Sequence, residues 1–262
     1  MSNIETNSYD KVAREILDTG WFEDSKSDYN SMFFKHVTYS GELHVLDIGS
    51  HLGLWALRIL EHSKNNSIST KMLCVDPCID STDSFESNTS EYSSLIEHFE
   101  LAITDENEDT LYIKSLEQNS LGSIQISPLN QKTLITQLTG PPGPDLYPDE
   151  IVLGVAKAAT AQKIITEHSQ NISPSSLNAV ICYACGYEYQ ILKSLQFLFS
   201  SSQPITYIFQ LYDNTLQQCG SSLSEVLSYM ESHGFNYEKT DLHYATSHNN
   251  THLDHTYYTF YK

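Results

Sequence analysis

The stretch "LHVLDIGSHLGLWALRILEHS", residues 43–63, combines a short apolar run, a glycine-containing turn and an apolar pattern at helical spacing. The run over 43–49 predicts a buried strand, and the repeat that follows it predicts a helix. Gly49 and Gly53 flank the turn, where glycine lets the backbone bend sharply and lets a ligand approach it. Asp47 lies near the end of the strand, and the first amides of a helix can meet a carboxylate or phosphate. The stretch therefore predicts a strand–turn–helix unit that is suited to ligand binding.

A second apolar strand ends in an acidic residue. The run "KMLCVDP", residues 71–77, is stopped by its proline, and Asp76 follows the apolar part directly. Dinucleotide-binding folds hold the ribose hydroxyls of their ligand with an acid at this position. The first turn has the spacing D-x-G-x-x-x-G, which lacks the glycine pattern of the NAD fingerprint. Together the two features favour an adenosine-bearing ligand without a pyrophosphate, and a bare glycine turn followed by an ordinary Asp-Pro turn is the alternative.

Strands and helices alternate along the rest of the chain at intervals of roughly 30 residues, which predicts a three-layer α/β fold with a mostly parallel sheet. Residues 21–40 are expected to be irregular, and 80–94 to form a loop or a short exposed helix. Helical spacing is present at 151–168, and Ser222 and Glu225 form a capping box. Further strands are expected at 98–104, 109–115, 178–182, 205–213 and 255–262, and further helices at 8–20, after Gly186 and at 222–235.

The domain division follows from the same pattern. Residues 1–40 are expected to be an N-terminal helix with an irregular lead-in, and residues 41–262 to be one domain. A polar segment at about 116–150 contains "TGPPGPDLYPDE", which cannot form the interior of a helix or strand. This segment is therefore predicted to be a Pro-rich insertion into the domain.

Composition excludes some classes of function. The net charge of −19 disfavours nucleic acid as a substrate, because an acidic surface repels phosphate. No apolar stretch approaches the roughly 20 residues of a membrane helix. The first residues lack the features of a signal peptide, and the cysteine count of five is odd, so we expect a cytoplasmic protein with reduced thiols.

Cys182 and Cys185 stand at the junction of a predicted strand and helix, in the sequence "ICYACGYEYQIL". Three interpretations are open. The pair could be a thioredoxin-like redox motif, or it could bind zinc together with Cys74 and Cys78. Buried, chemically inert cysteines are the third and favoured interpretation. The histidine-rich segment 243–255 shows no metal-ligand spacing and is interpreted as a loop that is solvated or lines a substrate cleft, so no metal site is predicted.

The order of these motifs resembles the FkbM family of class I S-adenosylmethionine-dependent methyltransferases. The first motif of that family is matched by "LDIGSHLG", its acid-Pro pair by Asp76 and Pro77, and its third segment by "ELAITDENEDTLYI". The family's "DVEGYE" segment is matched in part by "YACGYE", where Tyr183 and Cys185 replace two acids. The last elements are matched by "YIFQLYD", "VLSYMESHGF" and "TYYTFYK", so the resemblance covers about residues 40–262.

The resemblance implies a Rossmann-like class I methyltransferase fold, with a seven-stranded, mostly parallel sheet and an antiparallel last strand. It implies S-adenosyl-L-methionine as cofactor and methyl transfer to a hydroxyl oxygen of a sugar or small metabolite. Asp47 would shape the pocket floor, and Asp76 would hold the ribose. The methionine part would face Gly49, Ser50 and Gly53, and the adenine would lie near Ala102 and Asp105. The candidates for a general base are Glu188, Tyr183 and His51.

The two acids missing from the fourth motif leave a second hypothesis open. The chain could be a catalytically inactive, methyltransferase-like binding or regulatory protein, and a Cys-x-x-Cys redox or zinc protein is the third possibility. The expected partner is a small-molecule or glycan acceptor, with neither a membrane nor nucleic acid, and the sequence does not define the oligomeric state.

Overall fold

The computed structural model describes most of the predicted domain. The predicted helix at 8–20, Cys78, Cys185 and most of the Pro-rich segment lie outside it. The described residues are 21–77, 79–105, 112–116, 124–128, 151–184, 186–245 and 252–262.

The core of the fold is a seven-stranded sheet. Its four central strands carry short apolar runs and are buried on both faces, as is usual in parallel sheets. Its members are β1 (Leu43–Ile48), β2 (Thr70–Val75), β3 (Ile96–Phe99), β9 (Ala179–Cys182), β10 (Thr206–Gln210), β11 (Asn236–Ala245) and β12 (His252–Tyr261).

The spatial order of the strands in this sheet is β11–β12–β10–β9–β1–β2–β3. The strands from β3 to β10 pair in parallel. β12 is antiparallel to both β10 and β11. The chain thus adds β2 and β3 on one side of β1, and then adds β9 and β10 on the other side. The last strand, β12, is inserted in the reverse direction between β10 and β11.

Among the described residues, five further strands lie outside the main sheet. β4 and β8 form a parallel pair, and β5, β6 and β7 form a three-stranded antiparallel sheet in the order β6–β5–β7. The connection between β4 and β8 therefore carries its own small sheet. The bounds of these strands are Ala102–Thr104 (β4), Tyr112–Leu116 (β5), Ile124–Pro128 (β6), Ile151–Ala156 (β7) and Ala158–Thr160 (β8).

Helices cover both faces of the main sheet. One face, with Val45 and Ile181, packs against α1, α2 and α3. The opposite face, with Leu46 and Val180, packs against α4 and α6. The bounds of the helices are Trp21–His36 (α1), Leu54–Asn65 (α2), Ile79–Thr89 (α3), Glu188–Ser194 (α4), Asp213–Gln218 (α5) and Leu223–Ser232 (α6). Shorter helical turns occupy Ser90–Leu95, Ala161–Lys163, Ile164–His168 and Gln196–Leu198.

The expectation of an irregular segment at 21–40 is wrong for most of its length, because α1 spans Trp21–His36. Tyr29, Met32 and Phe33 are spaced three and four residues apart and are buried together against the sheet. This spacing is a helical signal. Tyr29, Met32 and Phe33 form the buried side of the helix.

Several predicted strands have different partners or bounds. The run 98–104 is divided between β3 and β4, which belong to different sheets, and the strand at 109–115 corresponds to β5 in the small sheet. The helix predicted from the spacing at 151–168 is wrong for the first half of that segment, which forms β7 and β8. The edge strand β11 was not predicted, and its last residues and the first of β12 fall within the expected loop at 243–255.

Other predictions are confirmed. The seven-stranded, mostly parallel sheet is present, and its last strand is antiparallel. The 80–94 segment is helical, as α3 and a following 3-10 turn, but Phe85 and Tyr92 are buried in the core, so the expectation that such a helix is exposed is wrong at these positions. Ser222 caps α6 by accepting a hydrogen bond from the amide of Glu225 at 3.3 Å. Within the described residues, no helix combines the length and apolar character needed to cross a membrane.

Candidate active site

The predicted ligand-binding residues meet at the carboxyl edge of the main sheet. β1, β2 and β9 are adjacent and parallel, so the segments that follow them emerge at the same edge. The turn after β1 contacts the acid after β2 directly, because the amide of His51 donates to Oδ2 of Asp76 at 3.0 Å. Ligands of open α/β sheets bind at this edge, where the chain reverses its direction of winding.

Gly49 is in contact with the end of β9. Its φ angle is +77°, and a Cβ atom at this position would lie 1.8 Å from the carbonyl oxygen of Tyr183. The amide of Gly49 donates to the carbonyl of Val75 at 2.8 Å. The amide of Tyr183 donates to the carbonyl of Ile48 at 2.9 Å. The first turn is therefore fixed between its two neighbouring strands, and only glycine fits there.

Gly53 closes the turn and precedes α2. Its φ angle is +80°, and its amide donates to the carbonyl of Ser50 at 2.7 Å. A Cβ atom here would lie 2.7 Å from the side chain of Thr89 and 3.2 Å from the ring of Phe85, so α3 packs directly on this glycine. Between the two glycines, His51 has a φ angle of +45°, a conformation that is uncommon outside glycine.

Asp47 is a buried acid with an incomplete set of hydrogen bonds. It is 1% exposed, and burial together with the charge of Asp76 raises the pKa of Asp47 to about 7. Among the described residues, neither its Oδ2 atom nor the hydroxyl of buried Ser50 has a hydrogen-bond partner. A buried acceptor without a partner is costly. A ligand that brings hydrogen-bond donors and positive charge to this point would stabilise both groups.

Glu188 has a different environment from the one expected of a general base. It is 1% exposed, and its two carboxylate oxygens accept the amides of Ala184 and Gly186, each at 2.9 Å. Burial raises the pKa of Glu188 to about 7. Both oxygens are therefore engaged in holding the turn after β9, which gives this side chain a structural role at the start of α4. Tyr183 lies at the same edge and is half-buried.

The residues predicted near the adenine follow β3, the strand next to β2 in the main sheet. The carbonyl of Phe99 accepts the amides of Asp76 and Leu101, so the end of β3 leads the chain past the acid toward β4. Ala102 is buried in β4. Asp105 forms a salt bridge with Lys193 of α4. The structure thus brings Asp76 close to the start of this segment, and the adenine-facing roles of Ala102 and Asp105 stay predictions.

The cysteines do not support the four-thiol zinc alternative. Cys74 and Cys182 are both buried, but they belong to the hydrophobic clusters on opposite faces of the sheet. Burial, together with the nearby Asp47, raises the pKa of the Cys74 thiol well above its usual value, which opposes the thiolate that zinc requires. Among the described residues, no group of three or more metal-ligating side chains is present.

Two groups of residues at this edge were missed by sequence reasoning. His98 on β3 stacks on Phe85 with ring centroids 4.0 Å apart. Tyr29 of α1 is hydrogen bonded to His255 of β12, at 2.8 Å between Oη and Nδ1. The helical spacing of Tyr29 was visible in the sequence, but its pairing with a residue 226 positions away was not.

The strand order and directions define the Rossmann-like fold of class I methyltransferases, with three strands on one side of the switch point and a reversed strand next to the other edge. The fold that the FkbM resemblance implied is therefore confirmed. No protein-family model matches the sequence, and no curated protein matches it.

Solved structures that resemble this chain include several methyltransferases. The methyltransferase FkbM from Methylobacillus flagellatus KT has 12% sequence identity and a TM-score of 0.49, over 85% of this chain and 44% of that one. The precorrin-6y C5,15-methyltransferase from Geobacter metallireducens GS-15 has 9% identity and a TM-score of 0.42, over 85% and 81%. A SAM-dependent methyltransferase from Aquifex aeolicus has 9% identity and a TM-score of 0.41, over 90% and 88%. This chain thus spans less than half the length of the FkbM structure.

Proposed function

We propose that this protein binds S-adenosyl-L-methionine and transfers its methyl group to a hydroxyl oxygen of a small molecule or glycan. The observation that carries the proposal is the arrangement of two buried acids at adjacent strand ends, joined by the turn between Gly49 and Gly53. The Oδ2 atom of Asp47 has no hydrogen-bond partner among the described residues, and Asp76 accepts the amide of His51.

The residues of this edge fit the cofactor. S-adenosylmethionine carries an ammonium group, a sulfonium centre and two ribose hydroxyls, and it has no phosphate. Ser50 and Asp47 would hold the methionine part, whose donors would satisfy their buried oxygens. Asp76 would hold the ribose. When bound, the cofactor supplies an electrophilic methyl group, so the chain itself has to orient the acceptor and remove its proton.

The acceptor is proposed from chemistry and charge. A net charge of −19 opposes a polyanionic substrate, and we infer an uncharged hydroxylated compound such as a sugar or a small metabolite. We also infer a cytoplasmic setting, where the thiols of Cys74, Cys182 and Cys219 would stay reduced.

A second candidate function is cofactor binding without turnover. It is favoured by the engagement of both Glu188 oxygens with backbone amides and by the presence of Tyr183 where the FkbM pattern has an acid. A protein of this kind would bind S-adenosylhomocysteine and methylate nothing.

Isothermal titration calorimetry with S-adenosylhomocysteine tests the shared premise. The wild type should bind, and Asp76→Ala should weaken binding by roughly 1.5–3 kcal/mol, the scale for losing a hydrogen bond to a charged group. Asp213→Ala, a substitution of an exposed acid at the start of α5, is the control and should bind like the wild type. No binding by the wild type at millimolar ligand would rule out both candidate functions. Methyl transfer to a hydroxylated acceptor would then separate the first candidate from the second.

A further inference from the structure

Asp47 and Asp76 form a pair of buried acids at the carboxyl edge of the main sheet. Asp47 is paired with Cys74 in the register of β1 and β2, and Asp76 lies two residues beyond Cys74. Cys74 belongs to the core cluster on the side of α1, α2 and α3, so Asp47 is on that face of the sheet. The charge of Asp76 acts on Asp47, which places the two carboxyl groups in one site.

This pair favours a single negative charge. Two carboxyl groups in one buried site oppose each other's ionisation and titrate as a pair. Asp76 accepts the amide of His51 at 3.0 Å, whereas Oδ2 of Asp47 has no hydrogen-bond partner among the described residues. Burial, together with the charge of Asp76, raises the pKa of Asp47 to about 7. At pH 6 the free protein therefore carries a proton on Asp47.

The other elements around Asp47 bring little charge to it. Burial, together with Asp47 itself, keeps the pKa of the Cys74 thiol well above its usual value, so the thiol is uncharged. Ile181 of β9 pairs with Asp47 on the other side and is apolar. The buried cation of α2, Arg58, lies 4.0 Å from the ring centroid of Tyr29 on α1. The titratable groups in the adjoining turns are His51, Asp76 and Tyr183.

His98 of β3 is a further titratable group near Asp76. It is paired with Cys74 in the register of β2 and β3. Burial lowers the pKa of His98, and the charges of Asp76, Glu100 and Glu86 oppose this shift. A proton that leaves this site when a cation binds could thus come from the imidazole or from Asp47, and an experiment has to distinguish the two.

We propose that binding of the cofactor releases a proton from Asp47, so that the affinity of the site depends on pH. This inference rests on the proposed function and adds the regulation of its cofactor site. S-adenosylmethionine and S-adenosylhomocysteine both carry an ammonium group on the part that Asp47 and Ser50 would hold. A positive charge within about 4–6 Å of a carboxyl group favours its ionised form. The O–H bond of Asp47 breaks, its electron pair stays on the oxygen, and the proton goes to solvent.

The coupling sets the direction of the pH dependence. Below about pH 7 the free protein holds the proton on Asp47 and the complex does not, so the affinity rises with pH through this range. A bound charge that returns the pKa of Asp47 to its ordinary value near 4 releases about 0.9 proton at pH 6.0 and about 0.25 at pH 7.5. The Kd then falls about eightfold between these two pH values.

Isothermal titration calorimetry with S-adenosylhomocysteine counts the released protons. The titration is repeated in buffers of different ionisation enthalpy, because each released proton adds the heat of protonating the buffer. The wild type should release about 0.9 proton at pH 6.0. Asp47→Asn has nearly the same shape but cannot ionise, so it should release none, and its Kd should change less than about twofold between pH 6.0 and pH 7.5.

Two further variants serve as controls for the source of the proton. Asp213→Ala, a substitution of an exposed acid at the start of α5, should release as many protons as the wild type. His98→Gln removes the other titratable group near Asp76 and should still release a proton, because the proposal assigns the proton to Asp47.

Carbon-13 NMR of protein labelled at the aspartate carboxyl carbons measures the same property in the wild type. The signal of Asp47 is assigned by its absence from the spectrum of Asp47→Asn. In the free wild type this signal should titrate with a midpoint near pH 7, and S-adenosylhomocysteine should move the midpoint below about pH 5.

The outcomes separate this proposal from the proposed function. A wild type that does not bind S-adenosylhomocysteine at either pH overturns both. A wild type that binds but releases less than about 0.2 proton at pH 6.0 overturns only the coupling. So does a release that persists in Asp47→Asn or is lost in folded His98→Gln. If Asp47→Asn does not fold, the wild-type spectrum decides, since the absence of any aspartate midpoint near pH 7 overturns the coupling.

Discussion

Gly49→Ala is expected to be among the most disruptive single-methyl additions in this protein. A new Cβ atom would lie 1.8 Å from the carbonyl oxygen of Tyr183. This is shorter by about 1.7 Å than the optimal separation of two heavy atoms, roughly 3.5 Å. The atom that it meets is backbone, so relief requires β1 and β9 to separate at their carboxyl ends, where both strands belong to the core of the sheet.

The magnitude has two contributions. A non-glycine residue in the left-handed region costs roughly 1–2 kcal/mol. Overpacking typically adds about 1–3 kcal/mol, and more where backbone has to move. We therefore expect Gly49→Ala to reduce the free energy of unfolding by about 4 kcal/mol or more. The variant should also lose affinity for S-adenosylhomocysteine, because the turn that would hold the ligand is displaced.

Gly220→Ala is the matched control. Gly220 has a φ angle of +78°, nearly that of Gly49, but no atom lies within 4 Å of its added Cβ. Only the conformational cost applies, so the expected loss is about 1–2 kcal/mol. Urea unfolding of both variants measures the difference directly. Equal destabilisation would show that the carbonyl of Tyr183 does not press on Gly49, and would refute the interlocked geometry of the site.

Two further predictions concern the buried acids. The pKa of Asp47 is raised to about 7 in the folded protein, above its unfolded value near 4, so the folded state holds the extra proton and loses stability as pH rises toward 7. Urea unfolding should therefore show that the free energy of unfolding of Asp47→Asn rises by about 2 kcal/mol relative to that of the wild type between pH 5.5 and pH 7.5. If the difference in unfolding free energy between the two proteins is the same at both pH values, the pKa of Asp47 is not raised. Glu188→Ala leaves the buried amide of Gly186 and the partly buried amide of Ala184 without acceptors and should cost about 2–5 kcal/mol, against less than about 0.5 kcal/mol for exposed Glu231→Ala. Unchanged hydrogen exchange at Ala184 and Gly186 would show that Glu188 does not hold the turn.

The sequence by itself determined the local units of this protein. The apolar run before Gly49 and the helical repeat after Gly53 predicted β1 and α2, because strand, turn and helix each depend on residues close together in the chain. The second unit, around Gly186, was found in the same way. Asp76 could be assigned to a strand end because its position follows directly from the preceding apolar run.

Strand pairing and the identity of side-chain partners were decided only by the tertiary structure. The pattern at 98–104 does not reveal that the chain leaves one sheet after Phe99 and joins another. The carbonyl that makes glycine obligatory at position 49 belongs to Tyr183, and the imidazole that Tyr29 holds belongs to His255. Contacts between residues so far apart in sequence form only when strands align, and a local pattern contains no information about that alignment. The sequence thus indicated which strand ends carry the candidate site, while the contacts that join those strand ends could not be predicted from it.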